Sequence, residues 1–323
     1  RRIDVPEPAL WHGWSPDGKW IAYFSDASGE YQLFVRDQEG LQPPRVIDLG
    51  PGASFFYAPH WSPDSKRIAY ADKHLRLWYV DVAGGKPVKI DTGLRGGFGN
   101  NSEMSWSPDS QWIAYTRDLE SQMHAVFFYS LATHSSRQIT DGMSNAAHPA
   151  FDPSGKYLFF TASTNSGPSD AGIDLSSLDR AVNSDVYAIV LSRNGASPIA
   201  PQSDDENKKN EDKKNDGKND GDDHKDEAKN GDAERDETKN GDDAKPADAR
   251  DEHANRSGAK SGRKHDKKPQ PTVIDLAGIG DRILSLPIPS RNYTDLSVGK
   301  SGVIFLAEGA PVGRPSEEDG TPI

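Results

Sequence analysis

Three histidines, His12, His60 and His148, each stand one to three residues before an aromatic side chain that opens a turn. An imidazole changes charge near neutral pH, so it can move a proton, hold a metal or touch a passing peptide. None of the three belongs to an H-x₃-H or H-E-x-x-H pattern, and no metal site is expected. The chain contains no cysteine, which removes disulfides, thiolate zinc sites and a cysteine nucleophile. Gly299-Lys300-Ser301 ends like a phosphate-binding loop, but Thr294 stands where that pattern needs its first glycine. Gly167-Pro168-Ser169-Asp170-Ala171 is a poor echo of a nucleophile elbow and follows no strand into a helix. The D-G-K-N-D-G run at 216–221 lacks the spacing and closing glutamate of a calcium loop. No catalytic, cofactor or metal residue is therefore assigned. The histidines remain as candidates for lining a channel, against the plainer reading of polar strand residues satisfied by neighbouring backbone.

The elements that carry these residues repeat. Residues 14–23 read W-S-P-D-G-K-W-I-A-Y. The phrase returns as W-S-P-D-S-K-R-I-A-Y at 61–70 and W-S-P-D-S-Q-W-I-A-Y at 106–115, with a weaker copy, F-D-P-S-G-K-Y-L-F-F, at 151–160. The starts at 14, 61, 106 and 151 lie 47, 45 and 45 residues apart, a period typical of propeller blades. Proline fixes φ in the turn while serine and aspartate bond nearby backbone groups. The aromatic residue before the turn can be buried between neighbouring sheets. The short apolar run after it reads as a strand buried on both faces.

Each repeat supplies four short strands, the composition of a propeller blade. The expected strands of the first repeat are 9–14, 20–24, 31–36 and 45–49, and those of the second 55–61, 67–71, 75–80 and 87–91. The third has 104–106, 112–117, 125–130 and 137–140. The fourth has 157–161 and 185–191 around a polar insertion at 163–184, with 272–276 as its displaced fourth strand. A fifth, incomplete unit offers 292–296 and 303–307. The fold class is all-β, a β-propeller of four-stranded blades. Residues 1–13 end a preceding blade and lead in, 14–199 are blades, 200–271 form a charged insertion, and 272–323 continue the propeller.

Between Ile199 and Val273 no Val, Leu, Ile, Met, Phe, Tyr or Trp occurs. Such a stretch cannot bury enough apolar surface to offset the entropy of ordering and is read as disordered. Residues 204–268 hold 21 acids and 17 bases, a net of −4, so the insertion is no specific polyion-binding tail. The whole chain carries −12, which argues against nucleic acid as a partner. It has no run of about 18 apolar residues that could cross a membrane as a helix. Arg1 is not preceded by an initiator methionine and the last residues are polar. The chain is read as a segment of a longer protein, cytoplasmic by expectation, with a periplasmic or exported parent as the alternative.

The repeat phrase resembles the TolB-like and tricorn-like propeller repeats. Three stretches narrow the likeness: S-F-F-Y-A-P-H-W-S-P-D at 54–64, D-K-H-L-R-L-W-Y-V-D at 72–81 and L-P-I-P-S-R-N-Y at 286–293. With the charged insertion before V-I-D-L, they make the chain similar to the second, seven-bladed propeller of tricorn protease homologues. That resemblance implies a parent serine peptidase that trims peptides to short products. Its catalytic residues would lie in peptidase domains beyond a PDZ-like domain, C-terminal to the propellers. It also implies a homo-oligomer, peptide substrates, and a propeller acting in substrate access and filtering. Two other readings share the repeat phrase. One is a non-enzymatic TolB-like propeller serving as an interaction module. The other is the propeller of a prolyl-oligopeptidase-like enzyme, which requires a downstream G-x-S-x-G.

Overall fold

The structure is a computed structural model that describes residues 9–27, 29–50, 54–94, 103–165, 182–199 and 270–309. The expected end of a preceding blade at 1–8, the elbow-like Ser169 and nearly all of the charged insertion lie outside these residues. Among the described residues the regular structure is β-strand, apart from one 3-10 turn at Gly280–Arg282.

Strands β1 (Leu10–Trp14), β2 (Trp20–Ser25), β3 (Gln32–Asp37) and β4 (Arg45–Ile47) form the first antiparallel sheet in chain order. The second holds β5 (Phe56–Trp61), β6 (Arg67–Asp72), β7 (Arg76–Asp81) and β8 (Val88–Thr92). The third holds β9 (Met104–Trp106), β10 (Trp112–Asp118), β11 (His124–Ser130) and β12 (Ser135–Gln138). The fourth holds β13 (Asn145–Phe151), β14 (Tyr157–Ser163), β15 (Asp185–Val190) and β16 (Ile283–Ser285). A hairpin of β17 (Tyr293–Val298) and β18 (Ile304–Glu308) begins a fifth unit. The expected all-β, four-stranded blades are what the chain forms.

One strand assignment is corrected. Residues 272–276 form no ladder; the fourth strand of the fourth blade is β16, which pairs Ile283 with Ile189 and Ser285 with Tyr187. The apolar pattern at 272–276 is used differently. Ile274 and Leu276 pack against the core between the third and fourth blades. Asp275 staples the segment down: its N–H donates to the Leu191 carbonyl at 3.0 Å, and its Oδ2 accepts from the Arg193 N–H at 2.7 Å.

The turn phrase builds the same hydrogen-bonded knot three times. Ser15 Oγ donates to Asp17 Oδ1 at 2.6 Å and accepts from the Trp20 N–H at 2.9 Å. Ser62 and Ser107 repeat both bonds, with Asp64 and Arg67 and with Asp109 and Trp112. In the fourth turn the roles are exchanged: Asp152 takes the serine's place and Ser154 the aspartate's, and the two side chains still bond each other. The residue that ends each turn is left-handed, with φ of 71° at Gly18, 59° at Ser65, 60° at Ser110 and 69° at Gly155.

The core is a series of seams between blades. Ile68 and Tyr70 pack into a cluster with Ala22, Phe24, Leu33 and Val35 of the first blade. Their neighbours Ala69 and Ala71 face the other way, toward Ile113, Tyr115 and Phe127 of the third. The strand period of two sends alternate side chains to opposite faces. In the I-A-Y phrase the large residues thus turn to the preceding blade, and the alanine leaves room for the large residues of the next. Ala114, facing the fourth blade, repeats the arrangement. Ala69→Leu should therefore wedge the second and third blades apart and cost about 1–3 kcal/mol; urea denaturation of the variant against the parent measures it.

Candidate functional site

The candidate site is the row of strands that open each blade and carry the histidines. They lie against one another: β1 packs on β5, β9 on β13, and β13 on β17. Each of β1, β5, β13 and β17 slips register once, between Leu10 and His12, Tyr57 and His60, Ala147 and Ala150, and Tyr293 and Asp295. Such bulges twist a strand and re-aim its side chains. At two of them a non-glycine residue is left-handed, Trp11 at φ 48° and His148 at φ 54°. Gly13 of β1 lies close against β5: a Cβ there would stand 2.8 Å from the Pro59 carbonyl oxygen.

The histidines occupy three different positions, two, one and three residues before Trp14, Trp61 and Phe151. His12 is exposed on β1. His60 is half-buried on β5, and loss of water around the ring lowers its pKa. His148 is tied to the preceding blade: its N–H donates to Glu103 Oε2 at 2.8 Å, and its Nδ1 lies 3.3 Å from Glu103 Oε1. Glu103 Oε2 also accepts from Thr116 Oγ1 at 3.0 Å. Among the described residues, no hydrogen bond or ion pair joins one histidine to another. The side chains share a row of strands without forming a cluster.

What fixes the row is a set of polar clasps across the seams. Trp61 Nε1 donates to the Gly13 carbonyl at 2.9 Å, and Trp106 Nε1 to the His60 carbonyl at 3.2 Å. In the fourth blade phenylalanine replaces the indole. There the Phe151 N–H itself donates, to Ser105 Oγ at 3.1 Å. Trp61 and Trp106 are 9% and 8% exposed, whereas Trp14, with no described blade before it, is 48% exposed. A second set joins the turns. Ser65 Oγ accepts from the Asp17 N–H, and Ser110 Oγ from the Asp64 N–H, each at 3.1 Å.

Serine at a left-handed position carries strain that glycine avoids, and these hydroxyls are what it gains. Gly155 has none. Thr272 stands against it instead, with Oγ1 where a Cβ on Gly155 would meet it, and the Thr272 N–H donates to Asp109 Oδ2 at 2.7 Å. Asp152 closes the series by accepting from Ser301 Oγ at 2.9 Å and the Gly302 N–H at 2.8 Å. Burial opposes its ionisation, yet hydrogen bonds from Ser154, Gly302 and Ser301 hold its carboxyl below the ordinary range. The Gly299-Lys300-Ser301 run is thus part of the fifth unit's turn. These clasps were not foreseen. The signal was the replacement of glycine by serine at 65 and 110, directly after a constant W-S-P-D.

Antiparallel four-stranded sheets that bury their faces only against the sheets before and after them define a β-propeller. Residues 11–320 match the family described as the tricorn protease second beta propeller domain, and the chain belongs to that family. It is 23% identical to Tricorn protease homolog 1 of Streptomyces coelicolor over 315 residues, 94% of this chain and 24% of that one. It is 28% identical over 155 residues to the uncharacterized peptidase YuxL of Bacillus subtilis, covering 46% of this chain and 21% of the relative. The chain thus spans about a quarter or less of the length of these two relatives. The crystal structure of the tricorn protease superposes over 92% of this chain and 23% of its own, with a TM-score of 0.59 and 17% identity, a likeness of fold.

Two outcomes test this geometry. Ser65→Ala keeps the strained backbone and loses the clasp, so it should cost about 1 kcal/mol. Ser65→Gly loses the same bond but relieves about 1–2 kcal/mol of left-handed strain, and should be close to neutral. Thermal melts of the pair give the order. His60 makes the second. Its folded pKa lies below the unfolded value of 6.5, so the unfolded chain binds more protons. Stability is complete above that value and falls as the pH drops through it. His60→Gln should lose less stability than the parent between neutral and mildly acidic pH, as read by urea denaturation on either side of that value.

Proposed function

We propose that this propeller serves substrate access, filtering and assembly in a parent serine peptidase that degrades peptides to short products, while cleavage is carried out by peptidase domains elsewhere in the parent chain. The reading is carried by the family match across residues 11–320. The peptidase names of the relatives support it. The row of adjoining opening strands offers peptides a surface of backbone and mixed polar and aromatic side chains, with His12, His60 and His148 as candidate contacts. The PDZ-like and peptidase domains of the parent would be its neighbours, in a cytoplasmic homo-oligomer. The propeller would require no cofactor.

The absence of cysteine allows a direct test. In a parent chain otherwise free of cysteine, His12→Cys provides one thiol on the opening strands. Attaching a bulky polyethylene glycol maleimide there should lower hydrolysis of oligopeptides about tenfold, a barrier rise of about 1.4 kcal/mol. The unlabelled variant should stay near the parent rate. The same label on Lys73→Cys, on the exposed β6–β7 hairpin, is the control and should leave the rate unchanged. Equal rates with both labels would remove the access role.

A further inference from the structure

A half-open cleft of about 380 Å³ lies between the first and second blades. Leu49, Phe56, Trp78 and Pro87 give it apolar walls. Asp48, Tyr70, Asp72, Arg76 and Lys86 supply its polar groups. The volume falls in the range of small-molecule sites, which pair apolar walls with a few placed polar groups.

Its donors are arranged and unused. Asp72 is buried and fully engaged: it accepts from Arg76 Nε at 2.8 Å, Trp78 Nε1 at 2.9 Å, and the N–H groups of His74 and Arg76. That carboxylate therefore aims Arg76 and is not itself free for a ligand. The guanidinium lies over the Trp78 ring, 5.2 Å from its centroid. Only Nε is bonded to Asp72, so its two terminal nitrogens have no partner among the described residues. Tyr70 is 1% exposed, and its ring is held edge-on by Phe24 at 5.8 Å and Phe56 at 5.6 Å. Burial, and then the charge of Asp72, push the phenol's pKa well above the ordinary value, so it stays a neutral donor. Among the described residues that hydroxyl has no hydrogen-bond partner. The hydroxyl borders the cleft, where a ligand acceptor can take its hydrogen.

The charges choose the acceptor. Asp48 and Asp72 balance Arg76 and Lys86, so a multiply charged anion gains no net attraction. A single carboxylate matches the planar fork of a guanidinium. The apolar walls call for a hydrophobic stem behind it. We propose that this cleft binds a monocarboxylate with an apolar stem, its oxygens on Arg76 and the Tyr70 hydroxyl and its stem between Phe56, Trp78 and Pro87. Two sources present this chemistry, the C-terminus of a peptide with an apolar last residue and a free organic acid. The site does not depend on the peptidase reading above.

Isothermal titration of the protein with N-acetyl-leucyl-leucine, its C-terminal amide and hexanoate tests it. The dipeptide acid should bind saturably and about tenfold or more tighter than the amide, the ratio that a difference of about 1.4 kcal/mol gives. Tyr70→Phe keeps the ring and removes only the donor; it should weaken the acid several-fold and leave the amide unchanged. Arg76→Lys keeps the charge on Asp72 but loses the fork, and should do the same. If Arg76→Lys fails to fold, Tyr70→Phe alone decides. Hexanoate binding as tightly as the dipeptide acid identifies a free-acid site; a much tighter dipeptide acid identifies a peptide terminus. The proposal is overturned if neither acid saturates, if acid and amide bind alike, or if Tyr70→Phe leaves acid affinity unchanged.

Discussion

No blade of this protein can bury its own faces. Each sheet is apolar on both sides, and each hydrophobic cluster draws its members from two successive blades. Every other feature answers to that constraint. The alternation of large and small residues along β6 and β10 lets neighbours interlock, and where two blades meet Phe24 stacks on Phe56 while Tyr70 meets both rings edge-on. An array in which each unit contacts only its neighbours gains stability seam by seam.

The polar clasps give those seams a register. Apolar contact alone does not fix how far one sheet slides past the next. A tryptophan N–H that must reach a particular carbonyl, and a serine that must reach a particular turn, fix it. The clasps also differ from seam to seam. Indole becomes a backbone N–H at Phe151, and a serine hydroxyl gives way to Thr272 at Gly155. The geometric requirement persists while the atoms meeting it change. That is why the fourth phrase can read D-P-S instead of S-P-D and still form its turn.

The blade architecture was legible because it is written in local terms: a fixed period, a turn phrase with proline in place, and apolar runs of strand length. Strand ends followed within a residue or two. One reading failed because tertiary context reassigns a local pattern. The run at 272–276 looks like a strand, but its apolar side chains are satisfied by packing, and β16 takes the edge of the sheet. Gly299-Lys300-Ser301 resembles a phosphate loop only in letters and serves as a blade turn. The histidines show the limit for sites. Sequence spacing put them on the right strands. It could not show that His148 is tied to Glu103, because that partner comes from the preceding blade. The cleft formed by Tyr70, Asp72 and Arg76 was equally hidden, since its wall at Leu49 belongs to another repeat.

The staple at Asp275 has an architectural consequence. The chain that leaves the fourth blade at Arg193 is back within a hydrogen bond of it at Asp275, and Thr272 is anchored on Asp109 in the preceding blade's turn. The described residues on the two sides of the tract are thus pinned to the same blade. Doubling the length of such a closed loop costs only about 0.6 kcal/mol. This junction is a natural splice port. A foreign folded domain whose termini lie side by side could replace the charged tract, and the propeller would carry it as cargo without rearranging a strand.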